Sequence, residues 1–413
     1  MNSSSTAGVV AGVPGANWRQ DANVIGLVGL AHASSHFSQL LLPLMFPVFI
    51  KEFALSYSEM GLLVTIFFVV SGLGQAGAGF VVDRFGARPV LFAALAIFVL
   101  ACLLAAHADG YAALVVVAML AGLGNSPFHP IDFTILNKRV SPSRLGHAYS
   151  AHGLSGNLGW AAAPAFLVGI TALADWRSAY LAAALLYAAV LLLLILHREQ
   201  LRTDAGWAAS QAPRQPTEAG GLSFLRLPVV WWCFVFFLLS TMTLAVVQTF
   251  GVSLLKEMHG IGFELASMTL TAYMLSGALG ILLGGFVAAR TDRSDQVVAA
   301  CLGLAALLLA LCGSGIFGGV GTMVVLAITG LAVGIGGPSR DMMIRKATPA
   351  GATGRVYGLV YCGLDIGLAI SPLVFGLFMD RGWYGATFVG AAATLLLAVY
   401  AALGVGSRTR APA

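Results

Sequence analysis

Gly79-Phe80-Val81-Val82-Asp83-Arg84-Phe85-Gly86-Ala87-Arg88 joins two long apolar segments, and a worn copy, Gly285-Phe286-Val287-Ala288-Ala289-Arg290-Thr291-Asp292-Arg293, joins two more in the second half of the chain. A short charged turn between two runs of about 20 apolar residues fits a connection between membrane-crossing helices. Its recurrence reads as an internal duplication. Working outward in both directions, the same apolar runs repeat until twelve spans are counted, near 23–50, 57–82, 89–107, 111–139, 146–170, 175–197, 228–255, 262–289, 296–317, 320–346, 353–379 and 384–406. Helices are the natural spanning form, because a helix satisfies its own backbone where no water can.

Composition agrees. Only 9% of the 413 residues are charged and 59% are hydrophobic, with a mean hydropathy of +0.89, whereas a soluble domain carries about 25% charge. The net charge of +5 is explained by its placement rather than by nucleic acid. One face of the membrane receives Arg84, Arg88, Lys138, Arg139, Arg144, Arg198, Arg202, Arg290, Arg293, Arg345 and Lys346 among others. The opposite face keeps Lys51, Arg177, Lys256 and Arg381, and Arg340 stays within a span. That bias puts both termini and the Asp83 turn in the cytosol of a bacterial-type inner membrane.

The expected organisation is a cytosolic tail at 1–22, a six-helix bundle at 23–197, a cytosolic linker at 198–227, a second six-helix bundle at 228–406 and a tail at 407–413. The linker is rich in Arg, Gln, Pro and Gly and is too polar to enter lipid. The first twenty residues lack the basic and apolar regions of a cleaved leader. A second echo supports the halving: Pro142, Gly146, Tyr149, Asn157, Gly159 and Pro164 match Pro349, Gly354, Tyr357, Asp365, Gly367 and Pro372 in order. Parallel repeats imply a two-fold pseudo-axis along the membrane normal, with the substrate between the halves. The fold class is therefore an all-α membrane protein of twelve transmembrane helices in two pseudo-symmetric six-helix bundles.

The segment Gly79 to Arg88 resembles the signature loop between the second and third helices of the major facilitator superfamily, and the twelve-span layout with a long central loop matches over essentially the whole chain. Within that superfamily, Gly122-Leu123-Gly124-Asn125-Ser126-Pro127-Phe128-His129-Pro130 with Gly156-Asn157-Leu158-Gly159 is similar to the fosmidomycin-resistance group, over about a third of the chain. In that group an acidic residue directly follows the His-Pro pair. Here Ile131 intervenes before Asp132, and Ala118 stands where many proton-driven exporters carry an Arg. The resemblance implies a secondary transporter that exports a small anionic or amphiphilic organic compound by proton antiport. It also implies a gating role for Gly79, Asp83, Arg84, Gly86 and Arg88. Gly79 permits close helix approach, Gly86 a tight turn, and Asp83 a contact with the positive end of another helix. In the second copy Ala289 replaces the aspartate, so the two halves should not gate alike.

Ionisable groups inside the spans are the sharper evidence, since a charge at a helix centre costs about 2.5 to 3.5 kcal/mol on insertion scales. His32, His36, His129, Asp132, His152, Arg340, Asp341 and Asp365 should therefore face a cavity. His129 and Asp132, three apart, share a helix face between Pro127 and Pro130, and an imidazole beside a carboxylate can load and release a proton. Arg340 offers a cation to an anionic substrate; a snorkelling arginine is the bland alternative. Asp341, pointing about 100° away along the helix, is not expected to be its simple partner. Asp365 must be paired or hold a proton at its depth.

His32 and His36, one turn apart in what reads as the outer half of the first span, with Gln39 beside them, form a polar stripe. Thr241, Thr243, Gln248 and Thr249 on the seventh span give a comparable face opposite. A histidine pair can bind a metal, but two ligands with no carboxylate on the same helix favour a polar substrate wall. The expected substrate-binding set is thus His32, His36, Gln39, His129, Asn157, Gln248 and Arg340. The expected proton-coupling set is His129, Asp132, Asp341 and Asp365.

No metal or cofactor is called for. Cys102, Cys233, Cys301, Cys312 and Cys362 have no ligand-like spacing. There is no phosphate-binding GxxxxGK[ST] loop and no hydrolytic motif, which disfavours direct ATP hydrolysis and enzymatic chemistry. Energy must come from an ion or solute gradient. Uptake of an organic acid by proton symport is the rival reading, and a non-transporting receptor a distant third, since the loops are too short for a signalling domain. The expected partners are a small-molecule substrate, protons and the lipid bilayer, with no nucleic acid, and the expected working form is a monomer.

Overall fold

A computed structural model of the protein describes residues 18–203, 225–348 and 353–409. Most of the expected linker, the expected tails apart from residues 18–22 and 407–409, Pro349, and the side chains of Gly354 and Tyr357 lie outside the described residues. The described chain folds as helices alone. Twelve of them are long and apolar enough to cross a membrane, so the protein is a multi-pass membrane protein. Spans 1 to 6 are Trp18–Phe53, Tyr57–Phe85, Ala87–Ala106, Tyr111–Arg139, Pro142–Leu173 and Trp176–Leu196. Spans 7 to 12 are the helices Pro228–His259, Phe263–Ala288, Ser294–Gly313, Gly318–Ala347, Thr353–Asp380 and Tyr384–Thr409.

Span ends follow local chemistry. Ser56 caps span 2 by accepting from Glu59 N, while the Glu59 carboxylate accepts from Ser56 N at 2.8 Å, a capping box. Asp175 caps span 6 from Ser178 N at 2.7 Å. Span 2 stops at Gly86, whose φ of +85° suits glycine. Span 1 begins a turn earlier than the apolar run suggests, because Asp21 is held by Arg144 Nη1 at 2.7 Å and by Ser141 N at 3.3 Å. Two spans are interrupted. Span 1 passes through a 3-10 turn at Pro43–Met45, and span 4 splits into Tyr111–Asn125 and Phe128–Arg139 around Ser126 and Pro127. Proline removes a backbone donor there, which loosens the helix next to His129.

The duplication is visible in the packing. Gly159 lets span 5 approach the Ala33 carbonyl of span 1, and its repeat mate Gly367 lets span 11 approach the Leu238 carbonyl of span 7; a Cβ would clash with backbone at either place. Gly122 against Phe67 in the first half and Gly330 against Tyr273 in the second make another such pair. The halves meet along two seams, span 2 on span 11 and span 5 on span 8. In one seam Thr65 Oγ1 donates to the Ala369 carbonyl at 2.6 Å, and in the other Thr271 Oγ1 donates to the Ala161 carbonyl at 3.1 Å. These two bonds interchange under the repeat, as a two-fold pseudo-axis requires.

The seam of spans 2 and 11 is tight towards Tyr57. Beyond Thr65, towards Tyr57, Gly61 lies on the Pro372 carbonyl and Gly376 on Ser58. The Asp380 carboxylate accepts from Tyr57 N at 2.6 Å, from Ser58 N at 3.1 Å and from the Ser58 hydroxyl. At the other end, around the Gly86 turn, Gly77, Gly79 and Gly285 face open space, and Phe80 and Phe286 are exposed.

Candidate functional site

Four histidines and a carboxylate converge inside the first half. His32 and His36 come from the middle of span 1, His129 and Asp132 from span 4 just after its break, and His152 from span 5. Asp132 is wholly enclosed. Its Oδ2 accepts from His32 Nδ1 at 3.0 Å and from His152 Nε2 at 3.1 Å. The rings of His32 and His152 stack with centroids 3.5 Å apart, and His36 and His129 flank His32 at 4.4 and 5.4 Å. Asp132 Oδ1 and His36 Nδ1 are buried without a hydrogen-bond partner.

A second polar network adjoins the cluster. Trp160 Nε1 donates to Gln39 Oε1 at 3.0 Å, Ser35 Oγ to Asn125 Oδ1 at 2.6 Å, and Asn125 Nδ2 to Ser71 Oγ at 2.8 Å. It ties spans 1, 2, 4 and 5 together at the break in span 4, and the Trp160 ring lies 4.3 Å from that of His36. Asn157 stands apart from it, its amide bonded to its own helix at the Gly153 carbonyl.

The second half contributes separate groups. Arg340 Nε meets Asp341 Oδ1 at 2.9 Å. This corrects the expectation that neighbouring positions would hold the two apart: the long arginine stem folds back, so adjacent Cα directions do not prevent contact. The guanidinium also lies over Phe237 of span 7, 5.3 Å from its centroid. Asp365 sits in the seam, its side chain facing Gly72 of span 2 with 3.7 Å to a Cβ built there. Gln248 is buried with Nε2 unpartnered. Thr243 turns inward instead, donating to the Ala391 carbonyl at 2.9 Å and sharing a hydrogen bond with Thr394 at 2.8 Å, so it does not join a polar face with Gln248.

The Gly86 turn needs two further corrections. Gly79 makes no close helix approach. Asp83 is exposed and, among the described residues, makes no hydrogen bond or ion pair, so the expected contact with a helix end is not made. Arg84 lies over Phe85, and Arg88 reaches Glu199 at 3.5 Å at the start of the linker.

His152, expected only to face a cavity, and Ser35, Ser71 and Asn125 are the residues to which motif reasoning gave no binding or coupling role. Their polarity at mid-span is legible in the sequence, but their partners lie on other helices.

Two duplicated six-helix halves that meet along two seams are the architecture of a membrane solute transporter. The Major Facilitator Superfamily model matches residues 28–267 and 247–412, and the chain belongs to that family. It is 25% identical over 372 residues to the fosmidomycin resistance protein of Escherichia coli, covering 88% of each chain. It is 24% identical to the hexuronate transporter of Bacillus subtilis, over 92% of this chain and 93% of the relative. With a probable nitrate/nitrite transporter of Mycobacterium tuberculosis it shares 25% identity over 80% of this chain and 82% of that one. Its fold resembles that of a bacterial homolog of the human lysosomal transporter Spinster in an inward-facing, occupied conformation, with a TM-score of 0.76, 14% identity, and 95% and 99% of the two chains covered.

Proposed function

We propose that the protein exports a small anionic or amphiphilic organic compound across a bacterial-type inner membrane by proton antiport, working as a monomer with both termini and the Gly86 turn in the cytosol. On this reading the Gly86 end of the seam faces the cytosol and the Asp380 clamp closes the outer end. Arg340 anchors the anionic group of the substrate. Asp341 holds the guanidinium until the substrate arrives, and Phe237 covers one face of it.

Asp365 is the proton carrier. The observation that carries this reading is its place in the seam against Gly72. A carboxylate between two moving halves is the group whose water access changes when they swing, and its protonation then tracks which end is open. His36, Gln39, His129, Asn157 and Gln248 supply polar wall. Asp132 enters as structure rather than as carrier, since it is enclosed within one half and held on two sides by imidazoles. The relatives named for fosmidomycin resistance, hexuronate and nitrate or nitrite transport support an anion, Arg340 being the matching cation.

Proteoliposomes test this with fosmidomycin, hexuronate and nitrate as probes. Acid inside should drive accumulation of at least one of them by exchange with protons. Accumulation driven instead by acid outside would give the symport of an organic acid. Flux of every probe indifferent to the proton gradient would overturn proton coupling altogether.

A further inference from the structure

We infer that the first half contains a site for a divalent transition-metal ion, formed by His32, His129 and His152 and oriented by Asp132. The inference goes beyond the transport reading and does not depend on substrate or direction. One ring nitrogen from each of the three histidines lies within 4.8 Å of the others, although the residues come from three different spans. A four-coordinate zinc site with Zn–N bonds of about 2.0 to 2.1 Å sets its nitrogens about 3.3 Å apart, so those nitrogens have to close by at most about 1.5 Å.

The hydrogen bonds already select the ligating nitrogens. Asp132 Oδ2 lies 3.0 Å from His32 Nδ1 and 3.1 Å from His152 Nε2; with the carboxylate ionised both rings donate to it, which leaves a lone pair on the other nitrogen of each. A carboxylate behind histidines is the arrangement that orients metal-bound imidazoles and raises their basicity. His129 makes ring contacts and, among the described residues, no hydrogen bond, so its nitrogens are uncommitted.

A purely structural cluster would satisfy its buried atoms, because an enclosed acceptor without a partner is costly. This one does not. Asp132 Oδ1 and His36 Nδ1 are both buried and unpartnered. A cation on the three imidazoles supplies the positive charge the enclosed carboxylate lacks, and His36, whose ring lies 4.4 Å from that of His32 with Nδ1 uncommitted, is the fourth donor. Imidazole nitrogen with a single carboxylate selects zinc, cobalt, nickel or copper over magnesium or calcium.

The test uses the full chain purified without a histidine tag and stripped with a chelator. Calorimetry with Zn2+ should give one equivalent per chain, and Co2+ should give the visible absorption of a four-coordinate nitrogen site. His32→Gln and His152→Gln should each weaken binding by at least about tenfold. His147→Gln, at an exposed position near the start of the same helix as His152, should leave it unchanged. Zn2+ should raise the melting temperature of the wild type and not that of His152→Gln. Absence of a stoichiometric Zn2+ site, absence of the Co2+ spectrum, or binding indifferent to His32 and His152 would overturn the site. The wild-type Co2+ spectrum decides the matter even where a variant fails to fold.

Discussion

Asp132 and Asp365 are both mid-membrane carboxylates, and their surroundings differ. Asp132 is locked by two imidazoles inside one half, whereas Asp365 faces glycine across the seam. Asp365→Asn should therefore abolish the dependence of transport on the proton gradient while leaving substrate exchange intact, read as counterflow in vesicles at equal pH. Arg340→Gln should raise the apparent KM about ten- to hundredfold, the range of about 1.5 to 3 kcal/mol for a hydrogen bond to a charged group. An unchanged KM would remove Arg340 from the binding site. Outside the membrane, the backbone N–H of Ser178 holds the Asp175 carboxyl below its ordinary range. Stability from a lowered carboxylate pKa is present above the unfolded value and lost as pH falls through the folded one. Thermal unfolding of Asp175→Ala should thus lie below that of the wild type at neutral pH, and the gap should narrow in acid below about pH 4. At this scale the spacing of His129 and Asp132 suggests a pair, but Asp132 is bonded to His32 and His152 and no hydrogen bond joins it to His129 among the described residues. The bonds to His32 and His152 were not legible, since periodicity within a helix carries no information about which neighbour it meets. Arg340 with Asp341 was misread for a related reason: helical phase governs Cβ directions, not the reach of a four-bond side chain.

Elements pair through glycines, and the repeat fixes which ones matter. Gly159→Ala and Gly367→Ala each place a methyl group against the backbone of the partner span. Each should destabilise the protein by about 1 to 3 kcal/mol, the ordinary cost of overpacking, seen as a lower melting temperature in detergent. Gly79→Ala, whose methyl would meet open space, should not lower it. If Gly79→Ala were as damaging as the other two, the packing described for the Gly86 end would be wrong. The spans themselves were legible almost to their ends, because hydropathy over about 20 residues is imposed by lipid thickness. The exceptions have local causes: Asp21 extends span 1 through its bond to Arg144, and Ser126-Pro127 divides span 4. The resemblance led to Asp83 as a latch, yet in this conformation the clamp is Asp380 at the opposite end, holding the N-terminus of span 2 as a carboxylate suits a helix start. Its partners Tyr57 and Ser58 lie more than 300 positions away, beyond the reach of any local pattern.

On the scale of the whole molecule, the matched bonds of Thr65 to Ala369 and Thr271 to Ala161 join the halves at equivalent points, and the proposed transport cycle takes them as its pivot, with Asp380 as the clamp at one end. Asp380→Ala should weaken the clamp and populate molecules open at the Tyr57 end. The halving was readable from the two glycine-rich turns, but which end is closed was not, since both conformations share one sequence. The central claim is that the ends open in alternation. Pulsed electron resonance in lipid nanodiscs tests it most directly, with spin labels on a cysteine-free background at Phe80 and Phe286 across the Gly86 end and, separately, at Lys51 and Arg381 across the Tyr57 end. The account predicts a long distance at the first pair and a short one at the second, exchanging together when pH or substrate is changed, with Asp365→Asn removing the response to pH. Distances at the two ends that stay fixed under every condition, or that lengthen and shorten together, would contradict it.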